Sequence, residues 1–497
     1  MVSISRTRKS SIARDHRTRW ASDVDPHPPH RTARIFIFAA CIVLTFAGRA
    51  QPTPRSVNLS PGDNLQAAVD FSLPGTTFVL RPGTYRMQRI APKDNDSFLG
   101  QGKVILNGSR ILTFEPHPSG LWIAEAAPIY SPNFPCMKTA PLCNQIQDLF
   151  VDGLMQKPAT TPVGLQPGWW YYDLAHQRIF LSQDPAGHTV ELGATPGAFY
   201  GTAKNVQIRG IIVEKYATHA QQGAVGDLKE GSSWNVDKVE VRWNHGAGVE
   251  LGPGSILTNS WVHHNGQLGI AMTGADGKVI GNEIAWNNYA GFEIGWEAGG
   301  SKFWATTNLL VQSNYVHDNQ GPGLWSDYDN VDTIYDHNTV THNLNEGIKY
   351  EISYRATIRN NIVKDNGNIP TVWLWNAQIE LQSSSGSLID DNIVEVPEGG
   401  GNGIALINQK RGVGSEGTWA AVNDRVYNNT ITFLGPGGRS GFVDDTGGNT
   451  ARGDSFDANH YILKVGSASA THWDWFTGMD WTGFQSKGQE GQGTCCN

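Results

Sequence analysis

From about residue 205, apolar and polar positions recur along the chain in one fixed order. An apolar residue is followed five positions later by Val or Ile. Three more positions bring Asn, and four more bring Gly, which opens an apolar–outward–apolar triplet. The first position holds Val236, Leu257, Val279, Val311, Tyr335, Ile358, Ile389 and Val426. Five residues on stand Val241, Val262, Ile284, Val316, Val340, Val363, Val394 and Ile431. The Asn column is Asn244, Asn265, Asn287, Asn319, Asn343 and Asn366. The Gly column is Gly248, Gly269, Gly291, Gly323 and Gly347, then Gly403 and Gly441 after longer coils.

Successive first positions are 21, 22, 32, 24, 23, 31 and 37 residues apart. The short spacings fit one coil of a parallel β-helix, and the long ones are coils with insertions. Each coil holds short strands with alternating inward and outward side chains. One coil cannot bury its apolar side chains, but stacked coils share a continuous core. Asn tolerates the left-handed backbone of a tight corner and can hydrogen-bond along a ladder. A leucine-rich repeat is excluded by the missing Leu consensus, and a propeller by the spacing. The predicted fold is all-β: a right-handed parallel β-helix solenoid with an N-terminal capping helix and a small inserted β subdomain.

The flanks fill in the organisation. Residues 57–112 read as the N-terminal cap and first coils, with Leu65, Ala68 and Val69 at helical spacing over Asn64–Phe71. Residues 113–200 break the pattern and predict the inserted β subdomain. The repeats run over 201–454, and 455–497 is an aromatic-rich C-terminal cap or tail. Residues 1–50 combine a basic stretch with the apolar run Ile35–Ala47. They read as a signal peptide or an N-terminal membrane anchor. The expected location is secreted, periplasmic or cell-surface, with membrane contact only through that segment if it is uncleaved.

Charge and cysteines narrow the partners. The chain carries a formal −8, while residues 1–50 hold nine Lys/Arg against three Asp, so the body is more acidic than the whole. That argues against nucleic acid as a partner. Cys136 and Cys143 are spaced to close a small loop in an oxidising compartment. A monomer is expected.

Four segments carry a family resemblance: Pro61–Ala68, Trp296–Lys302, Gly323–Asn330 and Gly347–Ser353. Over nearly all of 57–490 the chain resembles the right-handed parallel β-helix proteins of the pectin-lyase-like superfamily, above all bacterial secreted members. The resemblance implies the fold and a carbohydrate-related role. It does not fix a reaction, because that superfamily holds lyases, hydrolases, epimerases and binding proteins. No complete catalytic signature of the pectate lyases or polygalacturonases is present.

The repeat register places candidate chemistry on one outward face. Glu293, Trp325, Asp327, Lys349, Glu351, Glu380 and Gln382 are expected to stack over four coils, about 4.8 Å apart. Asp327 and Glu351 become neighbours, an acid/base or nucleophile pair, with Lys349 to orient substrate or act as base in elimination. Trp296, Trp325, Tyr328, Trp373 and Trp375 offer stacking surfaces for sugar rings, beside the polar Glu293, Glu380 and Gln382. Asp329 and Asn330 offer hard oxygen ligands, for which calcium is the suggested ion; no other cofactor is indicated. Three functions stay open: a polysaccharide hydrolase, a polysaccharide lyase, and a non-catalytic glycan-binding or surface protein.

Overall fold

The structure is a computed structural model that describes residues 55–227, 231–369, 371, 373–448 and 451–496. The expected export or anchor segment at 1–50 lies outside the described residues. Among those described, no helix is long and apolar enough to cross a membrane.

Three sheets form the solenoid, parallel throughout except where the last strand of the third, Gly478–Met479, pairs antiparallel. The first has 13 described strands, from Ser56–Leu59 to Ser455–Asp457, and the second has 13, from Gly83–Arg86 to Thr494–Cys495. The third has 11, from Gly223–Val225 to Gly478–Met479. Each repeat column is one stack: Val236, Leu257, Val279 and Val311 pair in register on the first sheet, and Val241, Val262, Ile284 and Val316 on the second. All of these side chains are buried in one continuous core.

A single residue turns the chain from the first sheet to the second. Asn259, Gly281, Ser313, His337, Asn360, Asp391 and Asn428 hold that place with φ between 49° and 66°. The left-handed backbone makes the corner sharp, which explains the Asn, Asp and Gly found there.

Buried asparagines line two corners. In the predicted column, Asn287 Nδ2 donates to Asn319 Oδ1 at 2.9 Å, and Asn319 Nδ2 to Asn343 Oδ1 at 2.8 Å. A second ladder runs Asn282, Asn314, Asn338, Asn361, Asn392, Asn429 and Asn459, with each amide donating to the next. It ends where Asn459 Nδ2 donates to Glu490 Oε1 at 2.8 Å.

The ends are closed. Helix α1 (Leu65–Phe71) is capped by Asn64, whose side chain accepts from the Ala67 amide at 2.9 Å, and it buries Leu65 and Val69 over the first coil. Coils continue past residue 454, and the short helix Trp481–Ser486 then buries Phe484 against the last one.

The chain leaves the coils after Asn107 to build two small sheets. Ser109–Ile111, Val190–Gly193, Leu149–Val151 and Leu154–Met155 form one. Lys157–Ala159, Trp169–Asp173, Arg178–Leu181, Trp122–Glu125 and Glu115–Pro116 form the other. They have their own core of Leu149, Trp170, Tyr172, Ile179, Leu181 and Leu192. Asp148 ties this insert to the coils, accepting from Tyr289 Oη at 2.6 Å and lying 2.9 Å from His245 Nδ1. Cys136 and Cys143 are joined by a disulfide.

Candidate active site on the third sheet

Strand register decides which side chains share the outer face of the third sheet. Glu250 pairs with Ala271 and Ala271 with Lys302; Trp325 pairs with Lys349 and Lys349 with Glu380. The neighbouring file brings Asp327 beside Glu351, and Glu351 beside Gln382. The predicted juxtaposition of Asp327, Lys349 and Glu351 is therefore present in the fold.

Glu293 is not in this face. The strand of its coil is Gly299–Thr307, and Lys302 with Trp304 takes the register positions opposite Ala271 and Thr273. Residues 291–298 form an excursion, and Glu293 is the exposed N-cap of its one-turn helix Ile294–Glu297. The 32-residue spacing hid two Gly-led triplets, and the second one joins the sheet.

The aromatic rim is also revised. Trp325 is only 3% exposed: Lys302 Nζ lies 4.0 Å from its ring centre, Lys349 Nζ lies 5.1 Å away, and its Nε1 donates to Glu351 Oε2 at 3.2 Å. It is a spacer between two cations rather than a platform for sugar. Trp296 stacks on Phe134 with ring centres 5.1 Å apart, fastening the excursion to the insert. Trp373 and Trp375 pack on Leu374, Ala377, Ala405, Ile407 and Val443. Tyr328 stays open at 51% exposure, 5.5 Å from the Trp419 ring.

Further along the face the groups are sealed. Glu380 is fully buried, with Lys349 Nζ 3.8 Å from Oε1, and Gln382 is 4% exposed. With its amide nitrogen turned toward Glu351, Gln382 donates to Oε1 at 3.2 Å and accepts from Arg411 at 2.7 Å. Neither meets solvent as a substrate-binding group would. Asn330 is also buried: its Oδ1 accepts from the Thr306 amide and hydroxyl, and its Nδ2 donates to Phe303 O and Ser353 Oγ. Asp329 accepts from the Ser415 amide at 2.8 Å. The two expected calcium ligands thus serve a ladder and a loop contact. Among the described residues no three His, Cys, Asp or Glu side chains cluster to hold a metal ion.

The open part of the face is a cleft of about 420 Å³. Gln221, Gln222, Asp227, Glu250, Glu297, Lys302, Trp304, Asp327 and Tyr328 line it. Lys302 Nζ lies 2.9 Å from Asp327 Oδ2 and 4.0 Å from Glu297 Oε2. The Asp327 Oδ2 and Glu297 Oε2 atoms are therefore no more than about 7 Å apart, which does not exceed the upper limit of glycosidase acid pairs. Asp327 Oδ1 is buried without a hydrogen-bond partner. Glu297 Oε2 accepts from Gln221 Nε2 at 2.5 Å.

Burial and charge set the protons. Burial pushes the Asp327 carboxyl above its usual range; Lys302 opposes the rise and Glu351 adds to it. Burial likewise raises Glu297 against the pull of Lys302. At Glu351 burial works the same way, but Lys349 and Arg411 outweigh it and hold that carboxyl below its usual range. Burial disfavours the Lys349 ammonium, yet Glu351, Glu346 and Glu380 drive its pKa upward. A lysine held charged in this way cannot take up a proton, so Lys349 does not fit the role of base.

Sequence reasoning missed Glu297 and Lys302 as members of the site. Gly299-Gly300 followed by Ser301-Lys302-Phe303 was the signal for the correct strand. An arm from the coil after Asn402–Asn408 seals Glu351. Its hairpin pairs Val413–Gly414 with Gly417–Thr418, Arg411 pairs with Glu351, and Tyr354 Oη donates to Gly417 O at 2.7 Å.

Comparison with known proteins agrees at the level of fold. The family described as right-handed β-helix region matches residues 227–385. No curated protein matches the sequence. Among solved structures, XylC in complex with xylose is 14% identical with a TM-score of 0.58, over 82% of this chain and 83% of that one. The A-module of the Azotobacter vinelandii mannuronan C-5 epimerase AlgE6 is 16% identical with a TM-score of 0.47, over 80% and 89%. The repeat columns, the three stacked sheets, the family match over 227–385 and the likeness to XylC identify the fold as a right-handed parallel β-helix.

Proposed function

We propose that this chain binds a polysaccharide in the third-sheet cleft and hydrolyses one of its glycosidic bonds. Asp327 is the proton donor and Glu297 its carboxylate partner. The observation that carries the reading is Asp327 Oδ1, buried at the cleft wall with no hydrogen-bond partner in a carboxyl biased toward its protonated form. Such a group can give its proton to the leaving oxygen as the bond to the anomeric carbon breaks. Glu297 removes a proton from the water whose oxygen joins that carbon, so one water is consumed per bond cut. Tyr328 and Trp304 offer ring faces at the rim. Glu351 and Lys349 act as positioning residues, fixing the charge against which Asp327 keeps its proton. XylC, which shares the fold, is found with xylose, consistent with a sugar-handling scaffold. The Cys136–Cys143 disulfide suits an oxidising compartment outside the cytoplasm.

The test is a polysaccharide panel read both for new reducing ends and for the absorbance of unsaturated products. Hydrolysis gives the first without the second, and Asp327→Asn and Glu297→Gln each lower it about a thousandfold. Full turnover by both variants would refute the site. The arm over Glu351 favours a second reading, a glycan-binding face without turnover. That reading gains if a glycan binds, none is cut, and Asp327→Asn leaves affinity unchanged.

A further inference from the structure

The inserted subdomain meets the coils across a second cavity, of about 600 Å³. Residues 155–160 and Trp169 line it from the insert, Tyr289 and Ala290 from the coils, and residues 139–143 from the disulfide loop. A mostly apolar wall with a few polar groups, at the junction of two packed units, is the make-up of a small-ligand site. No residue lines both this cavity and the cleft.

Several of its polar groups satisfy one another. His245 Nδ1 lies 2.9 Å from Asp148 Oδ2, and Nε2 lies 2.8 Å from the Cys143 carbonyl. Both neighbours only accept, so both ring nitrogens donate and the imidazole is a cation. Burial disfavours that charge, and Asp148 outweighs it and raises the pKa. Tyr289 Oη also donates to Asp148, at 2.6 Å. Among the described residues Asp148 is the one carboxylate of the lining, so the cavity lacks the acid pair that glycoside hydrolysis uses.

Two features are left for a ligand. The Trp169 ring is 36% exposed, with Lys157 Nζ 4.3 Å from its centre. Gln156 is 8% exposed, and its Nε2 donates to Leu154 O at 2.8 Å, yet its buried Oε1 has no protein donor. A buried acceptor without a donor is destabilising, so the fitting ligand brings a donor. An apolar molecule would leave Gln156 Oε1 unpaired, and a carboxylate or phosphate would bring it a further acceptor. A ring with an apolar face for Trp169 and hydroxyl donors at its edge meets both demands, which is the chemistry of a sugar.

We infer that this cavity is a second saccharide-binding site, one that holds a sugar chain without cutting it. It does not depend on the reaction proposed for the cleft. Ala290 of this cavity and Glu297 of the cleft are seven residues apart in sequence, so their Cα atoms lie within about 25 Å. A polysaccharide anchored here is therefore kept close to the cleft.

The experiment titrates the full-length protein, its methionine methyl groups isotopically labelled, with β-1,4-linked tetraoses of glucose, xylose, mannose and galactose. Met155 lines the cavity and no methionine lines the cleft, so the Met155 methyl signal, assigned with Met155→Leu, reports on this site alone. At least one tetraose is expected to move it, in the wild type and in the Glu297→Gln, Asp327→Asn double variant alike. Trp169→Ala should weaken that binding at least tenfold and Gln156→Leu severalfold, with the urea midpoint of Trp169→Ala close to that of the wild type. Unchanged affinity in both single variants would overturn the inference, as would a Met155 signal that no tetraose moves. Loss of the response in the double variant would also overturn it, because the ligand would then belong to the cleft. Indole serves as the apolar control: a signal moved by indole and by no tetraose would make the cavity an apolar-ligand site and end the saccharide reading.

Discussion

The Asn ladders and the third-sheet cleft are both columns of polar side chains repeated coil by coil, yet they behave oppositely. In a ladder each amide is donor and acceptor at once. Asn319 accepts from Asn287 and donates to Asn343, so stacking satisfies the column without further help. A carboxylate can only accept when ionised. Stacked carboxylates depend on cations from other columns, and the supply here is uneven. Glu351 receives Lys349 and Arg411, Asp327 shares Lys302 with Glu297, and Glu380 is left with Lys349 at 3.8 Å. Burial raises Glu380 well above the ordinary range, with Glu346 adding to the rise. The ladder is thus a device for stability, and the carboxylate file stores unequal proton affinities, which is what acid–base work needs.

Exchanging the chemistry of the two regions tests this contrast, from the largest effect downward. Asp327→Asn turns a cleft carboxyl into an amide. Turnover of an identified polysaccharide is expected to fall about a thousandfold, while the denaturation midpoint is unchanged or higher. A matching loss of stability would place Asp327 with the ladders. The reverse exchange, Asn319→Asp, removes the donor to Asn343 and to the Ile284 and His317 carbonyls. It should cost about 3 kcal/mol or more in urea unfolding, with no catalytic effect beyond the loss of folded protein.

Glu490 is the hybrid case, a carboxyl ending an amide ladder. Burial raises its pKa to about 7, opposed by its hydrogen bonds from Asn459 and Tyr461. The unfolded chain releases this proton near pH 4.5 while the folded chain keeps it to about 7. Stability therefore falls as pH rises between those values, by about 3 kcal/mol for a shift of this size. Glu490→Gln, which supplies an amide to the ladder's end, should flatten that slope in unfolding curves between pH 4.5 and 7. An unchanged slope would show that Glu490 does not set it. The smallest effect is expected at Tyr328→Ala. This exposed ring should cost about 1 kcal/mol of glycan affinity, roughly fivefold, without changing the unfolding midpoint.

The coils were legible in the sequence because their rule is local and repeated. Val or Ile stands in the second-sheet column in each of the eight coils from Val241 to Ile431, and no other arrangement buries them all. The second ladder went unread, although an Asn stands three residues after Val279, Val311, Tyr335, Ile358, Ile389 and Val426. The site was legible only in part. Asp327 beside Glu351 follows from spacing between two uninterrupted coils. Glu293 did not follow, because an excursion of unknown path separates one coil's Asn from its strand. Trp325 and Glu380 pointed outward as expected, but an outward residue can still be covered: Lys302 and Lys349 flank Trp325, and Arg411 closes over Glu351.

By itself the sequence determined the repeat, the sheets, the corners and the register of neighbouring side chains. Periodicity carries those because each coil meets only its neighbours. Tertiary structure alone decided which outward groups remain open, which lysine sits between Asp327 and Glu297, and that Arg411 closes over Glu351. These depend on where insertions of irregular length fold back, and there the coil-by-coil repetition has no counterpart.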